Sequence, residues 1–276
     1  SPPIDVMLII LAVIMAASVM DAAGGIDFLV RVAERIIRAN PKYVTIVAPL
    51  TTWSFTFVAG TGHIVYPLLP VIHETAHQSG IRPERPMAIA TIASQQAITA
   101  SPVAAATAAM IGLFAEKGLT QWGLPEILMI CVPATLIGVV AGAIVSMFLG
   151  KDLNDDPEYQ ARLAAGKIPA PQPAGERAPL KPAARLSAYL FLSGVALVVL
   201  FGFFPELRKL PGATSPLGMP IVIEIVMMAV AAIMLMATKV NVDEVPRTAT
   251  LRAGVVAVIG IFGLAWLGDS FIAAHK

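Results

Sequence analysis

"MAIATIASQQAITASPVAAATAAMIGLF", residues 87–114, is apolar at both ends but carries Ser94, Gln95, Gln96, Thr99 and Ser101 in its middle, followed by Pro102. A helix needs about 20 mostly apolar residues to cross a bilayer, and this run is long enough. Its polar centre cannot face lipid, because each unsatisfied polar group in hydrocarbon costs on the order of several kcal/mol. Pro102 removes a backbone donor and disturbs the turn before it. The stretch therefore reads as one crossing helix, interrupted inside the membrane against protein or a wet cavity.

The distribution of basic residues supports a single crossing. If 87–114 crosses once and 43–79 leaves and re-enters on one side, fifteen of the 19 Lys and Arg residues fall on one side and four on the other. If it does not cross, the split falls to ten and nine. Basic residues accumulate on the cytoplasmic side, so the first arrangement is preferred and the 150–186 loop is placed in the cytoplasm. Tyr43, Trp122 and Tyr189 sit near predicted segment ends, where interface anchors are common.

Composition agrees. Of 276 residues 57% are hydrophobic and 13% charged, about half the charged fraction of a soluble domain. The net charge of +1, with no basic block, gives no reason to expect nucleic acid. The single Cys131 lies in an apolar run and reads as a packing residue.

The remaining apolar runs are 4–20, 44–59, 64–76, 127–149, 190–204, 221–236 and 255–267. Between the first two, "IDFLVRVAERIIRANPK" (26–42) alternates apolar and charged residues with helical period, which suits a helix lying in the membrane interface. The 44–59 and 64–76 runs are short for spans and contain Pro49 and Pro67. They read as the arms of a re-entrant hairpin with its tip at Gly60-Thr61-Gly62-His63. The chain divides into a first membrane bundle (1–149), a hydrophilic Pro-rich loop and linker (150–186) and three further transmembrane helices (187–276). The fold class is an all-α polytopic membrane protein.

A second polar patch, "TTWSFTFVAGTGH" (51–63), belongs to the hairpin. Two readings of the patches stand. Small and hydroxyl residues let helices pack closely and bond back onto their own helix. Alternatively, broken helices offer free N–H groups and carbonyls to a substrate and a coupling ion, as in secondary transporters. Two such patches flanking one loop favour a site. No Lys or Arg lies at mid-depth, so an anion there would be held by hydroxyls, amides and helix N-termini.

Two other features compete for a role. His73-Glu74-Thr75-Ala76-His77 has the H-E-x-x-H form, which can place two imidazoles on a zinc ion with Glu activating water. An intramembrane zinc metalloprotease is the alternative function, but it needs a third ligand, for which Asp21 and Asp269 are only formal candidates. Glu224 reads as interfacial or as a coupling carboxylate, and "LNDDPEY" (153–159) as a helix cap and turn.

Several separate words resemble one family. "PIDVMLIILAVIMAAS", "AGGIDFLVRVAERIIRANPKYVT", "FVAGTGHIVYPLLPVI", "GIRPERPMAIATIASQQAITASPVAAA", "LNDDPEYQARLAAGK" and "AWLGDSF" are similar, in order, to the anaerobic C4-dicarboxylate transporter (Dcu) family. The resemblance implies an ion-transporter architecture and a multi-pass carrier of the bacterial inner membrane. It implies uptake or exchange of fumarate, succinate, malate and aspartate, with a possible coupling Na+ or H+, no cofactor, and oligomeric state left open. It also implies that segments at both ends of the family lie outside this chain. Gly60, Thr61, Gly62 and His63 match the family's first word; Ser94, Gln95, Thr99, Ser101 and Pro102 match its second. Thr61, Ser94, Thr99 and Ser101 are the expected hydroxyl contacts and Gln95 the expected amide donor. Gln96 stands where relatives carry an apolar residue. The resemblance includes Glu74 but not the paired histidines, which weakens the zinc reading.

Overall fold

The structure, a computed structural model, describes residues 4–119, 121–167, 179–212 and 215–275. Among them every regular element is helical. Within the loop and linker read over 150–186, residues 168–178 lie outside the described residues.

Helix α1 (Ile4–Ala22) is apolar all round, and Ile9, Ile10, Val13, Ala16, Val19 and Met20 are buried. A helix of this kind belongs in a core rather than at a polar surface. The chain then turns at Gly24, whose φ of +85° favours glycine, into α2 (Gly25–Ala39), bent by 74° from α1. Leu29, Val30, Ala33 and Ile37 form the buried face of α2, while Arg35 faces out. This is the amphipathic segment expected from its periodicity.

Helix α3 (Val44–Ala59) and helix α4 (Leu69–Gln78) are joined by Gly60, Thr61 and a 3-10 turn over Gly62–Leu68. At 16 and 10 residues, both helices are shorter than a span. Helix α5 (Glu84–Ala100) ends at Ser101, whose backbone is extended (φ −77°, ψ 131°), and α6 (Ala105–Glu116) resumes beyond the break. Together they form the apolar stretch Glu84–Ala115, long and apolar enough to cross a membrane and interrupted where the sequence expects a break. Helices α7 (Leu124–Met147), α9 (Ala184–Phe203) and α10 (Met219–Thr238) are also of spanning length. Between α7 and α9, a short α8 (Pro157–Ala164) is capped by Asp156, whose carboxylate accepts from the backbone N–H of Glu158 and Tyr159. The last helix, α11 (Ala249–Ala274), extends past the apolar run 255–267 at both ends. It starts early because the Thr248 hydroxyl accepts from the Leu251 N–H at 3.2 Å, a capping bond that apolar length does not reveal.

The helices pack in two groups. In one, α3 lies along α5, and both lie on α7. Small residues permit this approach: Thr52 donates to the Ala90 carbonyl on the neighbouring helix at 2.9 Å, and Trp53 Nε1 reaches Thr135 Oγ1 on α7 at 3.1 Å. In the other group α1 is central and packs on α6, α9, α10 and α11. Helix α2 touches members of both groups, α3 and α9. The break at Ser101–Ala104 thus joins α5 in one group to α6 in the other. Only 22% of the apolar stretch of α7 is buried, and Met129, Ile130, Ile137, Ile144 and Val145 face outward, as expected of a surface in lipid.

Candidate functional site

The hairpin tip and the helix break, read from separate stretches of sequence, meet in space. Helix α3 ends at Gly60 (φ +70°), whose N–H is bonded to the Thr56 carbonyl at 2.8 Å. A Cβ at Gly60 would stand 2.6 Å from the Val103 carbonyl oxygen, so the tip rests directly on the backbone of the break. A Cβ at Gly62 would stand 2.7 Å from Gln95 Nε2, so this backbone presses on the Gln95 amide. Thr61 Oγ1 accepts from the His63 N–H at 3.4 Å and caps the 3-10 turn.

Ser94 fastens the arrangement. Its hydroxyl is fully buried, lies 2.7 Å from Thr56 Oγ1 and donates to the Gly62 carbonyl at 3.2 Å. Ser101 is also fully buried, and its oxygen accepts from the Val103 N–H at 3.3 Å, shaping the break from within. Beside these residues lies a cavity of about 210 Å³. Gly60, Thr61, Gly62, His63 and Gln95 line it; Ser94, Thr99, Ser101 and Pro102 do not. Pro102 is buried within the break. Thr99 lies on an outer groove with Thr91, Gln95 and Gln96, and its hydroxyl donates to the Gln96 carbonyl at 2.7 Å.

The far wall comes from α1 (Val13, Ile14, Ala17) and α11 (Thr250, Gly254), with Tyr66 at the rim and Ala105 at the start of α6. Sequence reading missed this wall. Its one local signal is Gly254, where a Cβ would overlap Ile14 at 2.4 Å, so glycine is what lets α11 approach α1. Thr250 donates to Asp21 at 2.7 Å, which joins the same two helices. No Lys, Arg, Asp or Glu is among the described lining residues. The polar groups facing the space are hydroxyls, an amide, an imidazole and backbone. The first N–H groups of α6 have no partner within their own helix and carry the positive end of its dipole. In that first turn Thr107, 2% exposed, holds a hydroxyl with no partner among the described residues.

A profile of the anaerobic C4-dicarboxylate membrane transporters matches residues 1–276. The chain belongs to this family. It is 38% identical to the anaerobic C4-dicarboxylate transporter DcuB of Escherichia coli O6:H1, over 99% of this chain and 63% of that protein. It is 40% identical to the C4-dicarboxylate transporter DcuA of Wolinella succinogenes, over 100% of this chain and 62% of that one. With DcuA of Helicobacter pylori the identity is 38%, over 99% and 61%. The chain thus spans less than two thirds of the length of these Dcu relatives. No solved structure matches it. Dcu proteins are transporters rather than enzymes, and the apolar helices make this one a multi-pass membrane protein.

The zinc reading is corrected by what the motif's side chains touch. Glu74 Oε2 accepts from Arg38 on α2 at 2.9 Å, and Oε1 accepts from Gln78 at 3.0 Å, so the acid is spent on an ion pair. His77 Nε2 lies 2.5 Å from the Tyr159 hydroxyl on α8. Among the described residues no third His, Cys, Asp or Glu joins His73 and His77 in a metal-sized group. The motif instead ties the hairpin base to its neighbours. The side chain of Asp269 lies outside those described.

Proposed function

We propose that this chain carries the substrate site of a secondary carrier that exchanges or takes up C4-dicarboxylates, among them fumarate, succinate, malate and aspartate, across the bacterial inner membrane. The observation that carries the reading is the meeting of hairpin tip and helix break at one small cavity, mostly apolar, whose described lining offers a few polar groups and no Lys, Arg, Asp or Glu. A four-carbon dianion brings two carboxylates that need donors. Gln95 supplies an amide, Thr61 a hydroxyl whose proton is uncommitted, and the start of α6 its free N–H groups. Such donors are strong for carboxylates in a site that excludes water. Ser94, Ser101 and Pro102 hold the tip and break in place rather than touch substrate. His63 and Tyr66, with ring centroids 5.9 Å apart, stand at the rim.

Access alternates when the α3–α5–α7 group moves against the α1 group, with Ser101–Ala104 as the pivot and the cavity at the boundary. Coupling to Na+ or H+ belongs to the same proposal. The test is counterflow of labelled succinate into proteoliposomes holding the full-length protein. Saturable uptake driven by internal unlabelled succinate is expected, and Gln95→Ala should raise the apparent KM roughly tenfold, the value of one hydrogen bond to a charged group. Absence of dicarboxylate-dependent uptake by the intact protein would overturn the reading.

A further inference from the structure

A second cavity, of about 280 Å³, lies at the other end of the hairpin, where the starts of α3 and α5 meet the turn after α4 and the end of α7. Its lining includes Lys42, Tyr43, Arg85, Met147 and Asp152. The charges there resolve to one. Arg85 Nη1 donates to Asp152 Oδ1 at 2.6 Å, while its other donors reach the carbonyls of Leu149 at 2.5 Å and Gly150 at 2.8 Å. Arg85 and Asp152 cancel. Lys42 is exposed, makes no ion pair among the described residues, and leaves a net single positive charge.

The surroundings are half polar and half apolar. Tyr43, 65% exposed, lines the cavity together with Lys42, and Met147 supplies an apolar side. Phe148 and Leu149, which follow Met147 in the chain, are 81% and 58% exposed at the end of a helix of spanning length. The end of a spanning helix is where hydrocarbon gives way to water. One cation and one phenol fit a monoanion, and the adjoining greasy wall fits a chain attached to it. A free phosphate ion, partly a dianion at neutral pH, would leave charge uncompensated and the wall unused.

We propose that this cavity seats the phosphodiester of a membrane phospholipid, with the phosphate at Lys42 and Tyr43 and the acyl chains along Met147 and Phe148. The seat stands independently of the transport reading. The test is native mass spectrometry of the full chain in detergent, titrated with dioleoylphosphatidylglycerol. Lys42→Gln should lower lipid occupancy roughly fivefold, the effect of one cation at a headgroup. Arg35→Gln, which removes an exposed cation that does not line the cavity, should leave occupancy unchanged, as should excess inorganic phosphate. Tyr43→Phe should lower occupancy by a smaller factor while keeping the packing. Equal losses in the Lys42 and Arg35 variants would reduce the seat to general surface attraction. No loss with Lys42→Gln, or displacement of lipid by inorganic phosphate, would overturn it.

Discussion

A methyl group added at Gly60 meets backbone, whereas the same group added at Gly62 meets the end of a flexible side chain. Gly60→Ala places a Cβ 2.6 Å from the Val103 carbonyl oxygen at a residue with φ +70°. Left-handed backbone costs a non-glycine residue about 1–2 kcal/mol, and overpacking against a fixed neighbour adds about 1–3 kcal/mol. The variant should lose about 2–5 kcal/mol, and its thermal unfolding midpoint in detergent should fall by several degrees. Gly62→Ala carries no such backbone strain, and its nearest overlap is with the Gln95 amide at 2.7 Å, which can swing away. Its stability should change by less than about 1 kcal/mol. Swinging the amide removes a proposed donor from the cavity, so the apparent KM for labelled succinate should rise roughly tenfold. Thermal unfolding and counterflow on the same preparations separate the two effects. Equal midpoints for the two variants, or a Gly62→Ala protein with unaltered KM, would refute the reasoning about how the tip is seated.

Arg85→Ala should free the loop after α7, because it removes one ion pair and two carbonyl contacts from a side chain only 8% exposed; faster amide exchange over residues 150–156 reports it. Thr107→Val removes a buried hydroxyl with no partner among the described residues and should raise stability by about 1–2 kcal/mol, measured by thermal unfolding. A concurrent rise in KM would show that substrate uses that hydroxyl. The Lys181 ammonium, 2.8 Å from the Glu244 carboxylate, holds that acid below its usual range, first by hydrogen bonding and then by charge. Because the folded value is the lower one, any stabilisation is present above the unfolded carboxylate value of about 4.3 and fades as pH falls through the folded value. Midpoints of the native protein and Glu244→Gln should differ at neutral pH and converge in acid.

The hairpin tip and the break were legible because glycine and proline leave local marks: Gly60 needs its positive φ, and Pro102 sits where α5 ends. Which residues of the second polar word face the cavity was not legible. Ser94 and Gln95 are adjacent in sequence, yet about 100° of helical rotation puts one hydroxyl against Thr56 and the other residue's amide in the space. The α1–α11 wall was hidden for another reason. Gly254 and Ile14 are separated by most of the chain, and nothing beside either announces the contact. The H-E-x-x-H motif misled in the opposite way: its spacing suits a metal, but its partners are Arg38, Gln78 and Tyr159, all outside the motif.

Among the described residues the cavity lining holds no Lys, Arg, Asp or Glu, and this has an electrical consequence. A wall bearing a lysine could neutralise part of its cargo; under the proposed carrier function, this one leaves a dicarboxylate's full charge exposed to the membrane voltage. Moving two negative charges against 100 mV costs about 4.6 kcal/mol, whereas trading one dianion for another costs nothing electrically. Strict one-for-one trade should therefore ignore an imposed potassium-diffusion potential, while net uptake without compensating cations should slow as the interior becomes more negative.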